Sequence, residues 1–276
     1  MSRKFSLKNS RIYIILIAIL LIYMFPVYLV VINSFKNLFE IIDNTLGFPR
    51  NLHFKNYIQA FNDMNYPMAF MNSVIVTVFS VIVVCFFPSM TAHYFLRNKS
   101  KFNTLMFGLM IASMNIPFHA IMIPMVRIYG SLGVLNNKAS LIYFYLAFGT
   151  PLSVFTYHGF MKSIPKELEE AAVIDGCNKI QAFFKVVFPL LTPVTASIAT
   201  LNILWFWNDY LLPFLVLKKA EQRTLPLSTF AFFGTHSADY GLLMAALIMT
   251  VIPIVIVYVF LQKYIIQGIV QGAVKY

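Results

Sequence analysis

Side chains able to do chemistry are few in this chain, and they are scattered. Five histidines, two cysteines and ten acids are spread over 276 residues. His93, His119 and His158 lie within or near apolar runs. There a lone imidazole is either a satisfied structural group or part of a proton relay. Cys85 sits in an apolar run and Cys177 in a polar segment, which argues against a disulfide and gives no metal-ligand spacing. No glycine is followed by lysine. The chain therefore lacks the Gly-x-x-x-x-Gly-Lys-Ser/Thr loop that cradles nucleotide phosphates, and it is not itself an ATP-hydrolysing unit. No paired-carboxylate site, His-x-x-x-His motif or nucleophile elbow is present. No acid lies well inside an apolar run, with Asp209 at the end of one. Ion-coupled carriers usually keep ionisable groups there. The expectation is a chain with no catalytic residue, no metal and no cofactor of its own: a passage driven from elsewhere, and not an enzyme.

Charge is concentrated in one stretch, residues 164–193, with Glu167, Glu169, Glu170 and Asp175 beside Lys166, Lys179 and Lys185. Pro165 suits a first helical turn, and the acids that follow sit near the positive end of the helix dipole. Gly176 can take the left-handed conformation that stops a helix. Asn178 can cap a second helix, with Gln181 placed for a capping box. In that second helix Ile180, Phe183, Phe184, Val187 and Phe188 recur at helical spacing. The reading is two short helices joined at Asp175-Gly176. The small pair Ala171-Ala172 would let the first lie close to a partner's backbone, or it belongs to a solvated loop helix.

These residues must be positioned by the rest of the chain, which is 59% hydrophobic and 11% charged, with mean hydropathy +0.75. Soluble domains are nearer a quarter charged. Several apolar runs reach the roughly 20 residues that cross a bilayer. The class is an all-α polytopic membrane protein, expected as a single transmembrane domain over 1–276. Its six helices fall at about 12–33, 68–96, 102–126, 139–161, 190–207 and 241–262, with Pro117 and Pro124 kinking or breaking the third. The first run is longer than the core of a secretory signal and is read as an uncleaved span. Phe54, Tyr57, Ile58 and Phe61 fit a short helix, either at the outer interface or packed on the domain. Residues 211–217 form a segment that could dip back toward the membrane. With both termini inside, the cytoplasmic segments carry 13 of the 21 basic residues and 4 of the 10 acids. That bias obeys the positive-inside rule and puts the 162–189 loop in the cytoplasm. Basic residues confined to short connecting segments also exclude a nucleic-acid partner.

Glu170-Ala171-Ala172, Asp175-Gly176 and Phe188-Pro189 together resemble the EAA loop of ABC importer permeases. Cys177 and Phe188 are mild departures from that pattern. Ile116-Pro117, Ile123-Pro124, the run Ile164-Pro165-Lys166-Glu167-Leu168, the block Trp207-Asn208-Asp209-Tyr210 and the tail Gln267-Gly268-Ile269 with Gly272-Ala273-Val274-Lys275 are similar to the carbohydrate (maltose-type) branch. The resemblance covers roughly residues 12–276. It implies a type I permease fold in the prokaryotic plasma (inner) membrane. The implied partners are a second related permease, an ATPase dimer that binds the ATP, and an extracytoplasmic sugar-binding protein. It implies coupling to the ATPase through Glu167, Glu170, Ala171, Ala172, Asp175 and Gly176. A contact from the tail is implied at Gly268, Gly272 and Lys275. Sugar hydroxyls call for aromatic faces and amides, which Asn115, Asn202, Trp205, Asn208 and Tyr210 offer. The same residues also suit an interfacial belt or helix–helix hydrogen bonds. A permease for another small polar solute, a secondary transporter or a membrane scaffold are the alternatives.

Overall fold

Hydrocarbon offers no partner to a backbone N–H or C=O, so an apolar run that crosses it closes its hydrogen bonds within itself. In the computed structural model the long apolar runs are accordingly helical. The structure describes residues 7–232 and 239–273, with side chains over 12–232 and 239–262. In chain order the principal helices are α1 (Leu7–Asn33), α2 (Leu38–Asp43), α3 (Lys55–Asp63), α4 (Tyr66–Arg97), α5 (Lys101–Ser113) and α6 (Phe118–Ser131). There follow α7 (Lys138–Met161), α8 (Glu167–Ile174), α9 (Lys179–Leu190), α10 (Thr192–Asn208), α11 (Leu211–Val216) and α12 (Tyr240–Ala273). Among the described residues, four helices are long and apolar enough to span a bilayer: Ile12–Asn33 within α1, α4, α7, and Tyr240–Gln262 within α12. The count is six if each of two bent pairs is one span, α5 with α6 at 104° and α9 with α10 at 74°.

The break expected at Pro117 or Pro124 falls at Pro117, with Pro124 inside α6, and helix bounds differ from the sequence reading. The run expected at 102–126 is two helices, the second reaching Ser131. The break falls at Met114–Pro117, where Pro117 is extended (φ −67°, ψ 134°), as a proline lacking its N–H favours. The run expected at 190–207 starts at Thr192, with Pro193 in its first turn, and α9 leads into it. The helix expected to end at Gln262 continues to Ala273. Gly268 and Gly272 therefore lie in helical backbone. Each costs about 1 kcal/mol there relative to alanine. Lys275 lies outside the described residues.

The chain forms two compact units. In the first, Met1–Tyr66 with Ser228–Pro253, Lys36 is fully buried and its ammonium donates to the Asn44 carbonyl at 2.8 Å. Asn56 donates to the carbonyls of Ser34 and Lys36 at 2.9 and 2.8 Å. A Cβ on Gly241 would sit 2.5 Å from the Lys36 carbonyl, so only glycine admits this approach of the first turn of α12. On α3, Tyr57 turns inward to Phe35 at 5.1 Å while Ile58, and Phe54 just before the helix, stay exposed.

The second unit, Pro67–Leu227 with Ile254–Tyr276, has its core among α4, α7, α9 and α10, with Val84, Leu141, Tyr145, Val154, Tyr157, Val187 and Leu191 buried. Gly149 lets α7 approach α4, because a Cβ there would lie 3.1 Å from Val84. Tyr157 donates to Thr195 at 3.0 Å, and Tyr145 stacks on Phe206 with ring centres 4.3 Å apart. The segment after α11 is tied down by polar groups. Asn72 donates to the carbonyls of Glu221 and Arg223 and accepts from Lys138. Asn136, at φ +64°, accepts the N–H groups of Lys218 and Lys219.

Candidate functional site

The 162–189 loop is built as its residue types dictate. Helix α8 carries three acids in its first turn and ends in a left-handed glycine, Gly176 at φ +90°. Cys177 N–H bonds to the Ala172 carbonyl at 2.9 Å and Gly176 N–H to the Val173 carbonyl at 3.0 Å. This is the six-to-one and five-to-two pairing that closes a helix at a left-handed residue. Asn178 and Gln181 cap α9 reciprocally, at 2.9 and 3.0 Å. The expected helix–turn–helix is therefore present, turn and capping box included. Space around a Cβ at Gly176 is open. Backbone conformation alone restricts that position.

What holds α8 in place is Glu169. One of its oxygens accepts from Arg97 Nε and Nη2, at 2.8 and 2.6 Å. The other lies 2.8 Å from His93 Nε2. Arg97 also donates to the Ile164 carbonyl at 3.2 Å. All three side chains are largely buried, at 14–20% exposure. Desolvated, charge-assisted bonds of this kind outweigh exposed pairs such as Lys166–Glu170. In that exposed pair the Glu170 carboxylate holds the Lys166 ammonium pKa above its usual value, chiefly by hydrogen bonding. Sequence reasoning noted Glu169 only as one acid of four. Its spacing to Ala172, three residues on, puts the two on one helix face, but nothing within the loop tells that face from the others, because its partners lie 72 and 76 residues away.

That face is turned inward. Ala172 is 7% exposed within its own chain, so it does not offer the small surface to a partner that the sequence reading gave it. The outward face carries Glu167, Leu168, Glu170, Ala171, Val173 and Ile174, all exposed. Ile174 is 85% exposed. On α9, Phe183 packs on the His93 ring at 5.0 Å and Phe184 stacks on Phe86 at 5.4 Å. Ile180, expected on the same buried stripe, is exposed instead. The helix is π-wound over Phe183–Val187, and the extra residue per turn shifts the stripe relative to the turn before it. The loop thus presents Leu168, Val173, Ile174 and Ile180 as apolar side chains among charges.

The five candidate pathway residues divide. Asn202 and Trp205 line a cavity of about 620 Å3 bounded by the α5–α6 break, α7, α10 and α11. Asp209 lines it too, accepting from the Tyr145 hydroxyl at 3.0 Å and from Leu211 N–H at 3.1 Å. Burial pushes the Asp209 carboxyl pKa up, and hydrogen bonds from Tyr145 and the following backbone N–H groups oppose the rise. Asn202 donates back to the Ile198 carbonyl at 2.8 Å. Asn115, exposed in the α5–α6 break, is outside the lining, as are Asn208 and Tyr210. Asn208 bonds to the Leu204 carbonyl and Tyr210 stacks on Phe214.

Residues 85–271 match the model of the family described as binding-protein-dependent transport system inner membrane component. Over 94% of both chains the sequence is 41% identical to a probable starch degradation products transport system permease protein of Thermoanaerobacterium thermosulfurigenes. It is 40% identical to a multiple sugar-binding transport system permease protein of Streptococcus mutans, over 91% of each chain. A melibiose/raffinose/stachyose import permease protein of Bacillus subtilis is 36% identical over 97% of this chain and 98% of its own. The fold is similar to a chain in the crystal structure of a bacterial ABC transporter involved in the import of the acidic polysaccharide alginate. The TM-score is 0.73 at 23% identity, covering 95% of this chain and 99% of that one.

Proposed function

The chain belongs to the binding-protein-dependent transport system inner membrane components, and from that premise we propose that it is the permease subunit of an ATP-driven importer of oligosaccharides. It is a transport component and not an enzyme. It is a multi-pass protein of the inner membrane whose partners include an ATPase and a substrate-binding protein. A second, related permease completes the pathway, and the ATPase partner binds the ATP. Both termini are cytoplasmic, a reading supported by the 13 of 21 basic residues that then lie inside.

The observation that carries the coupling role is the outward face of the loop. A solvent-facing loop has no reason to expose Leu168, Val173, Ile174 and Ile180 together unless a partner covers them. Glu167 and Glu170 rim that face, and Gly176 sets the angle of α8 to α9. Below it the Glu169 clamp joins α8 to the end of α4, so a push on the loop reaches a membrane-spanning helix. Along the pathway, Asn202 and Trp205 are proposed to meet the sugar, a reading supported by their position on the cavity wall. The test is Ile174→Asp, assayed by sugar uptake and by pull-down of the ATPase subunit from the same membranes. The expected result is normal membrane abundance with uptake and ATPase association both lost. Normal association would remove the loop as the docking surface.

A further inference from the structure

A second cavity, of about 470 Å3, lies where the ends of α4, α5 and α7 meet on the side assigned to the cytoplasm. Its wall carries Lys99, Lys162 and His158 with Asn103 and Thr104, and no carboxylate. Among the described residues neither Lys99 nor Lys162 is ion-paired. Two apolar grooves leave this cavity along α5. One, of about 650 Å3, shares Lys99 and Thr104 with it, carries Ser100 and a further ammonium, Lys101, at that end, and continues over Leu105, Gly108 and Leu109. The other, of about 580 Å3, shares Phe95 and Asn103 with it and continues over Met106 and Met110.

Two unpaired ammonium groups in a headgroup-sized cavity call for an anion. Two apolar grooves running from it along a membrane helix call for two hydrocarbon chains. We propose that this is a site for an anionic two-chain phospholipid of the inner leaflet, its phosphate held between Lys99 and Lys162 and its acyl chains lying along the two faces of α5. Basic pockets between spanning helices on the cytoplasmic side recognise such headgroups. A free phosphate would satisfy the lysines but leave both grooves without an occupant. The site also stands at the root of the coupling loop. Lys162 closes α7, and Ile164, two residues on, receives the Arg97 bond. The proposal rests on the membrane placement of the chain and not on what it transports.

The test uses the assembled importer in nanodiscs of equimolar phosphatidylglycerol and phosphatidylcholine, with retained lipid read by native mass spectrometry. The wild type is expected to retain phosphatidylglycerol selectively. Lys99→Gln with Lys162→Gln should weaken that retention by about five-fold per lysine. Gly108→Trp fills one groove without touching a charge, and a Cβ at Gly108 meets open space, so the helix accommodates it. It should lower lipid retention at unchanged assembly yield. Three results would overturn the proposal: equal retention of both lipids by the wild type, unchanged selectivity in the lysine variant, or displacement by inorganic phosphate with Gly108→Trp silent. Loss of the ATPase subunit from the lysine variant with its lipid intact would assign the surface to that partner instead.

Discussion

At the scale of single residues, the loop depends on one backbone conformation and one carboxylate. Gly176→Val forces a β-branched residue to φ +90°, at about 1 kcal/mol or more. The strain falls outside the bilayer. The protein should therefore insert normally while uptake is lost and ATPase pull-down weakens, both measured on the same membranes. Glu169→Gln leaves Arg97 and His93 half-satisfied in a largely buried site, at about 1.5–3 kcal/mol for the lost charge-assisted bonds. Arg97→Gln should cost about as much, and the double variant little more than either, because they share one interaction. Protease sensitivity of the 162–178 segment reads this non-additivity, and additive losses would mean the two side chains act separately. Ala172→Glu acts inside the chain. It places a second carboxylate beside Glu169 on the inward face, so α8 should lift from α4 and the segment become cleavable. A variant as protected as the wild type would show that Ala172 faces outward after all.

At the scale of elements, the breaks matter as much as the helices. Between α5 and α6 the chain turns by 104° at Met114–Pro117, and the turn forms one wall of the cavity lined by Asn202 and Trp205. Pro117 has an extended backbone that proline adopts without strain. Pro117→Ala should therefore keep the fold and lower stability by about 0.4–1 kcal/mol through the freer unfolded chain. A small fall in thermal midpoint with uptake retained is the expected reading. A large fall would mean the ring itself packs in the break. In α9 Phe183 and Phe184, which open the π-wound turn, pack on His93 and Phe86.

At the scale of the whole molecule, the bias of basic residues predicts the orientation. Asn178→Cys, in a background with Cys85 and Cys177 replaced by serine, should resist an impermeant thiol reagent in intact cells and react in inverted vesicles. Labelling in intact cells would reverse the topology and with it the coupling role. The last helix runs to Ala273, so deleting residues 268–276 removes its final turns along with the tail. The expected outcome is a larger loss of uptake than of membrane abundance. Equal losses would make the segment a stabilising end and nothing more.

The sequence alone determined the features that depend on near neighbours in the chain. The apolar runs are helical because lipid leaves them no other hydrogen-bonding partner. Gly176 is left-handed and Asn178 pairs with Gln181 because caps act within four residues. The class of transporter was legible for the same reason, in the compact spacing of Glu170-Ala171-Ala172 and Asp175-Gly176. Tertiary structure decided the features that depend on distant residues. Glu169 stands 72 residues from Arg97 and 76 from His93, and local spacing does not separate it from Glu167 or Glu170. Whether Ala172 and Ile180 face in or out depends on where α4 ends and how α9 is wound. Asn202 meets the cavity and Asn208 does not because a helix turns 100° per residue and only the assembled neighbours say which direction is empty.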